Sequence, residues 1–240
     1  MKTNRLILFD IDGTILSTDR KAWEDPFRDA MEQALEEIGE PQKIDTSSYK
    51  SGGKTDTQII YEILDANGFP EETITRVFPA VAKKYLQLLR QIVEKNPQYV
   101  MLKPGVKELL EDLKGREGLV LALLTGNFEE GARIKLSAHG LNAYFPFGAF
   151  GEGARVRSDL PPRALQAAKA HSAYPFAGKE VVIIGDTPND IHCGRHLNVR
   201  VLAVATGPYS QDLLRAEGAD FVFPDLTDRA KVWDAIAKPL

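Results

Sequence analysis

The chain predicts an α/β fold: a doubly wound parallel sheet interrupted by an inserted all-α segment. Three observations predict it. Apolar runs at residues 6–8, 119–124, 181–184 and 200–204 are too short for helices, and the first three end at turn-forming or acidic residues, as buried strands do. From Pro104 onward such runs alternate with helical patterns, the order of a parallel sheet covered on both faces. Residues 17–100, in contrast, read as helical and contain no buried-strand pattern.

The first strand carries Leu6, Ile7 and Leu8 and ends at Asp10. Asp25 followed by Pro26 starts a helix, whose stripe of Phe27, Ala30, Met31, Ala34, Leu35 and Ile38 runs up to Gly39. Thr55 caps a second helix, with Ile59, Ile60, Ile63 and Leu64 on one face and a stop at Gly68. A third follows Pro70, carries Val77, Val81, Tyr85, Leu88, Leu89 and Ile92, and ends at Asn96-Pro97. Beyond Pro104 come a helix with Val106, Leu109, Leu110 and Leu113, the strand 119–124, and a helix to about Gly140. A helix opened by Pro161 and Pro162 leads to strand 181–184, then to strand 200–204 and an edge strand at 221–223. The expected domains are a core of residues 1–16 and 101–240 and a helical cap of residues 17–100, hinged near Ser17 and Val100.

With 240 residues, 43% hydrophobic and 27% charged, the composition is that of an ordinary globular chain. A net charge of −4 argues against a nucleic-acid surface. No apolar run reaches the length of a membrane span, and the N-terminal run breaks at Asp10 before a secretory segment develops. One cysteine, Cys193, allows no intrachain disulfide and reads as a small buried residue in a reducing compartment. A cytoplasmic location is expected.

Parallel strands joined by helices emerge at one edge, so the ends after Phe9, Leu124 and Ile184 converge. That edge binds ligands in open α/β sheets. It gathers Asp10, Asp12, Thr125, Asn127, Asp186 and Asp190, with main-chain amides at Gly13 and Gly126. Four carboxylates repel one another unless a cation neutralises them, and all-oxygen donors suit hard Mg²⁺ better than zinc. Taken alone, the first stretch also reads as a hairpin turning at Asp12-Gly13. A calcium loop fails, because Gly13 and Lys21 stand at the wrong loop positions.

Together these segments resemble the haloacid dehalogenase superfamily in its Mg²⁺-dependent phosphatase branch. Asp10-Ile11-Asp12-Gly13-Thr14 matches that family's first motif, Leu124-Thr125-Gly126-Asn127 its second, and Ile184-Gly185-Asp186-Thr187-Pro188-Asn189-Asp190 its fourth. The resemblance implies a Rossmann-like core. It also implies that Asp10 is the nucleophile forming an aspartyl-phosphate, and that Asp12 is general acid and then base. Mg²⁺ would be held by Asp10, the main-chain carbonyl of Asp12, Asp186 and Asp190, and the phosphoryl group by Gly13, Thr125, Gly126 and Asn127. The third motif departs from the family, since no Lys-Pro stands between Phe150 and Asp186. Arg157, ahead of Leu160-Pro161-Pro162, is the expected substitute, with Arg155 and Arg163 as alternatives.

The cap's position before the second motif resembles the family's first cap class. The loop Ser51-Gly52-Gly53-Lys54-Thr55-Asp56 resembles the substrate-facing loop of phosphoglycolate-phosphatase-like members, which makes Lys54 a candidate contact for an anionic leaving group. Trp23 and Phe27 read as cap core. His192 and His196 have metal-pair spacing but no evident third ligand, and Gly148, Gly151 and Gly153 lack the spacing of a dinucleotide loop. The expected activity is hydrolysis of a small phosphorylated metabolite, phosphoglycolate or a sugar phosphate, by a monomer or homodimer. A sugar phosphomutase keeps the same core, and a non-catalytic phosphoester-binding module is the alternative of another class. A dehalogenase is disfavoured by the second acid, Asp12.

Overall fold

The computed structural model describes residues 4–18 and 25–239. At its centre is β1 (Arg5–Phe9), every side chain of which is buried. It pairs in parallel with β4 (Leu119–Leu124) and β6 (Val181–Gly185), Phe9 lying opposite both Leu123 and Ile184. Adding β5 (Gly148–Ala149) at one side and β7 (Arg200–Val204) and β8 (Phe221–Phe223) at the other gives a six-stranded parallel sheet of order β5-β4-β1-β6-β7-β8. The two-residue β5 carries too few side chains to leave a sequence pattern, and only its pairing with Leu123 and Leu124 reveals it.

Strand side chains alternate between faces, and this alternation divides the core. Ile7 and Phe9 join Leu123, Val182, Ile184 and Leu202 in one apolar cluster. Leu6 and Leu8 join Ala122, Leu124, Ile183 and Val201 in the other, beneath Leu160, Ala164 and Ala168 of a flanking helix. The first cluster continues without a break into the helical segment, through Met31, Ile60, Val81 and Leu89. Each such buried side chain contributes about 1.5–3 kcal/mol relative to exposure, so the inserted segment shares its anchoring core with the sheet.

That segment contains α1 (Pro26–Glu37), α2 (Asp56–Ala66) and α3 (Glu71–Lys95). Asp25 caps α1 by accepting from the amides of Phe27 and Arg28, both at 3.1 Å, and Thr55 Oγ1 caps α2 at the Gln58 amide, 3.0 Å. The helical reading fails at both ends of the insertion. There β2 (Leu16–Thr18) and β3 (Val100–Leu102) form an antiparallel ribbon, pairing Leu16 with Leu102 and Thr18 with Val100. Three residues per strand are too few for periodicity to reveal. Because β2 pairs with β3 and not with β1, the hairpin alternative at Asp12-Gly13 is also overturned.

Past the ribbon, α4 (Val106–Leu113), α5 (Glu129–Ser137), α6 (Leu160–Ser172), α7 (Pro188–Cys193), α8 (Gln211–Ala216) and α9 (Arg229–Ala237) connect and cover the strands. Among the described residues no helix is long and apolar enough to cross a membrane.

Candidate active site

The chain leaves β1 at Asp10, whose amide donates to the Ile184 carbonyl at 2.9 Å and so ties the first loop to β6. From there the Asp10 carboxylate meets those of Asp186 and Asp190. All three are buried, with one oxygen from each within 4.8 Å of the others. Thr14 Oγ1 donates to Asp186 Oδ1 at 3.2 Å. Asp190 sits in the first turn of α7, where Oδ2 accepts from the Thr187 amide at 3.0 Å and hydroxyl at 2.7 Å. Gly13, at φ +92°, lets the loop pass so close to Asp186 that a Cβ would collide with its carboxylate.

Arg157 enters this cluster from the turn before α6. Its Nη2 donates to Asp10 Oδ1 at 2.8 Å and also to Asp190 Oδ1, and the guanidinium is buried. Arg163 instead donates to the Glu152 carbonyl, and Arg155 stacks 3.4 Å over the Tyr61 ring, so neither alternative reaches the acids. Burial pushes the Asp10 carboxyl up to about 7, with Asp190 and Asp12 adding repulsion and Arg157 opposing it. Burial pushes Asp186 up to about 8, with Asp190 and Asp10 as further causes. Although burial opposes the Arg157 charge, Asp190 and Asp10 hold it above the ordinary arginine value. Three crowded carboxylates that resist ionising together, with only oxygen donors, are what a hard divalent cation relieves. The residues therefore fit a divalent metal.

Asp12 points elsewhere. Its carboxylate accepts from Lys135 Nζ at 2.9 Å on Oδ1 and 2.8 Å on Oδ2, and from Asn127 Nδ2 at 2.7 Å. Lys135 also donates to Asn127 Oδ1 at 2.6 Å. Asn127 Nδ2 further reaches Thr125 Oγ1 at 2.7 Å, so its amide links the two loops. Asp12 thus contributes no side-chain oxygen to the three-carboxylate group. Two expected anion donors are engaged within the protein: the Gly13 amide donates to the Leu16 carbonyl at 2.7 Å, and the Asn127 amide group serves Asp12 and Thr125. Lys54 lines the cavity, where its Nζ pairs with Glu62 at 2.5 Å and lies 4.5 Å above the Tyr49 ring.

The cap closes over this edge. Thr55 Oγ1 donates to the Ala154 carbonyl at 2.5 Å, Thr57 Oγ1 to that of Gly151 at 2.6 Å, and the Asp56 amide to that of Gly126 at 2.7 Å. Asp56 Oδ2 accepts from the Phe128 amide at 2.8 Å. Gly126 is required here, since a Cβ would run into the Lys54 carbonyl. Beneath this contact lies a cavity of about 790 Å³, lined by Asp10, Asp12, Thr125, Gly126, Arg157 and Asp186 from the core. Its cap and hinge side includes Ser17, Thr46, Ser47, Tyr49 and Lys54. Phe27 reaches this wall while stacked on Tyr85, and Trp23 lies outside the described residues. His192 faces Glu217 at 2.9 Å, away from the acids.

Sequence reasoning missed Lys135 and the docking role of Asp56. Lys135 had a legible signal. Phe128, Gly131, Ala132 and Lys135 recur at the spacing of one helical face, so the lysine stands at a core position. Cys193 is buried, and burial pushes its thiol up to about 12, as befits an inert packing residue.

Comparison with known proteins agrees with this geometry. Residues 7–204 match the family model described as haloacid dehalogenase-like hydrolase. A phosphoglycolate phosphatase from Aquifex aeolicus is 26% identical over 233 residues, covering 96% of this chain and 97% of its own. A pyrophosphatase PpaX from Oceanobacillus iheyensis is 22% identical over 226 residues, covering 93% and 94%. In fold, the crystal structure of a predicted phosphatase from Clostridium acetobutylicum superposes with a TM-score of 0.66 at 19% identity, over 96% of this chain and 98% of that one. The chain belongs to the haloacid dehalogenase-like hydrolase family.

Proposed function

We propose that the chain is a Mg²⁺-dependent phosphomonoester hydrolase that works through an aspartyl-phosphate on a small phosphorylated metabolite. The observation that carries this reading is the buried group of Asp10, Asp186 and Asp190 beneath Arg157, with a second acid, Asp12, beside it in a cap-covered cavity. An Asp10 oxygen attacks phosphorus as the bond to the leaving group breaks, and Asp12 gives its proton to the departing alkoxide oxygen, releasing the alcohol. Water then attacks the same phosphorus and passes a proton to Asp12. The bond to Asp10 breaks, inorganic phosphate departs, and both acids return to their starting states. Arg157 holds the Asp10 carboxylate in place, while Thr125 and Gly126 at the end of β4 face the phosphoryl oxygens.

Asp10, Asp186 and Asp190, together with the Asp12 main-chain carbonyl, would hold Mg²⁺. When bound, the ion supplies the positive charge that lets these acids ionise beside a phosphate and polarises a phosphoryl oxygen. Oxygen-only donors favour such a hard ion over zinc.

The cavity's outer wall, with hydroxyls of Ser17, Thr46, Ser47 and Tyr49 and the ammonium of Lys54, suits a hydroxylated or anionic leaving group. Phosphoglycolate and sugar phosphates have that chemistry, and the Aquifex relative carries the first of them in its name. The enzyme would act in the cytoplasm as a monomer or homodimer, without nucleic acid or membrane.

Phosphate release from a panel of phosphomonoesters, with Mg²⁺, with EDTA and with Asp10→Asn, tests the reading. Turnover abolished by both EDTA and the substitution supports it. Isomerised sugar phosphate without free phosphate would replace it with a mutase, and tight binding without turnover by well-folded protein with a binding module.

A further inference from the structure

We propose that Lys135 is a positioning residue for the second half of the reaction, holding the Asp12 carboxylate as the base that receives the proton of the attacking water. This rests on the phosphatase reading above. Lys135 is only 8% exposed, although lysine ordinarily keeps its ammonium in water. It is buried at the last position of an apolar helical face, and its ammonium is spent on both oxygens of Asp12 and on Asn127 Oδ1. Asn127 in turn donates to Asp12 Oδ2 and Thr125 Oγ1, so one lysine orients the acid and braces the loop that carries Thr125.

The arrangement favours one half-reaction. Lys135 and Asn127 place three donor contacts on the two oxygens of Asp12, which is the setting of an acceptor awaiting a proton rather than of an acid about to give one. In phosphoenzyme formation Asp12 is a donor, and it must leave part of this hold. In phosphoenzyme breakdown it accepts one proton from water as the water oxygen bonds to phosphorus and the phosphorus–Asp10 bond breaks, and the hold seen here is then the productive one. Losing Lys135 should therefore slow breakdown more than formation.

The test is stopped-flow hydrolysis of p-nitrophenyl phosphate, whose leaving group departs as a stable anion and needs no proton from Asp12. In Lys135→Met the first equivalent of nitrophenolate should appear within about threefold of the wild-type rate, while steady turnover falls about tenfold, a fraction of the 10²–10⁴ that a complete acid–base group contributes. Acid-quenched protein should then retain phosphate on Asp10. In an Asp12→Asn background the same lysine substitution should cost nothing further. A parallel fall in both phases, or no change in either, would overturn the inference, since a merely structural lysine would not separate them. Should Lys135→Met fail to fold, Lys135→Arg replaces it. This variant keeps donors for the carboxylate and is expected within about threefold of wild type in both phases, and an equal large loss in both again overturns the inference. If wild type and Asp10→Asn release nitrophenolate alike, the phosphatase reading itself has failed, and that result is distinct from the others.

Discussion

At the edge where β1, β4 and β6 end, the Arg157 guanidinium lies among Asp10 and Asp190. At the opposite edge, where β1 and β7 begin, two other buried arginines lie against main-chain oxygens. Arg5 donates to the carbonyls of Ile236 and Lys238 at 3.1 and 3.0 Å, and Arg200 to those of Ile236, Lys238 and Pro239 at 3.1, 2.9 and 3.2 Å. These carbonyls close α9 and carry the partial negative charge of a helix C-terminus, so the arginines there complete a cap. The difference lies in what each edge leaves behind if the arginine is removed. Without Arg5 or Arg200 the carbonyls can turn to solvent as the last turn of α9 frays, whereas without Arg157 charged groups remain buried among one another. One edge uses arginine to finish a fold, and the other to make a crowd of acids tolerable.

The largest expected effect is at the acids. Asp10→Asn should lower phosphate release by at least about 10⁴-fold, as removal of a nucleophile does, while the melting temperature of the metal-free protein holds or rises because one of three mutually repelling groups is gone. A melt that falls instead would show Asp10 to be structural and erase the contrast between the edges.

Next comes Arg157→Met. Leaving Asp10 and Asp190 buried without their cation should destabilise the protein by about 3–5 kcal/mol and reduce turnover by at least about a hundredfold. Arg157→Lys should recover part of both, since it restores the charge but not the further guanidinium bonds to the Gly53 and Leu124 carbonyls. Loss of turnover without loss of stability would break the argument, because it would mean that the acids do not need the arginine to stay folded.

Proton linkage sharpens the same point without a mutation. Asp10 and Asp186 rise from 3.8 to about 7 and about 8 in the fold, so the folded state binds protons more tightly than the unfolded chain. Their contribution to stability is complete below about pH 4 and is lost as pH climbs through about 7–8. Metal-free protein should accordingly melt several degrees lower at pH 8.5 than at pH 5.5, and Mg²⁺ should restore more at the higher pH. A Mg²⁺ effect of equal size at both values, read by differential scanning calorimetry, would contradict the assignment of these acids to a cation.

Arg200→Met supplies the control from the other edge. Loss of its charged hydrogen bonds should cost about 1.5–3 kcal/mol and leave kcat and KM within about twofold of wild type. A large change in kcat would mean that the two edges are coupled through the sheet.

What the sequence made legible follows the same division. The strands carrying the acids are buried on both faces, so their apolar runs and the acids that end them stand out at Leu6 to Asp12 and at Val181 to Asp190. Their convergence follows from parallel connection alone. Arg157 was legible because a family pattern left a vacancy for one cation, and its place ahead of the Leu160-Pro161-Pro162 helix start set it apart from Arg163 inside that helix. Lys135 left one signal, its place on an apolar helical face, although its partner Asp12 is far away in the chain; Arg5 and Arg200 left none, because arginine usually stays in water and their burial depends on the distant end of α9. The ribbon and β5 escaped because strands of two or three residues have no period. The docking of the cap escaped because Thr55, Asp56 and Thr57 read as a helix start, and they are one, with side chains that also serve a second element.

Asp56 gives the smallest expected effect and the finest division between holding and reacting. It is buried at the cap-to-core contact, and burial pushes its carboxyl up to about 7, with Lys135 and the Phe128 amide opposing. A carboxyl that titrates near neutrality is already close to its uncharged form, and the one hydrogen bond it accepts, from Phe128, can be accepted equally by an amide oxygen. Asp56→Asn should therefore change kcat and KM by less than about threefold, whereas Asp56→Ala, which leaves a buried amide unpaired, should cost about 1–3 kcal/mol and raise KM as the closed cap loses its anchor. If Asn were as damaging as Ala, the charge on Asp56 would be what matters, and it would join Arg157 and Lys135 in the electrostatics of the acid cluster. If Asn is silent and Ala is not, Asp56 serves the closed fold as Arg200 serves α9, although it stands at the catalytic edge.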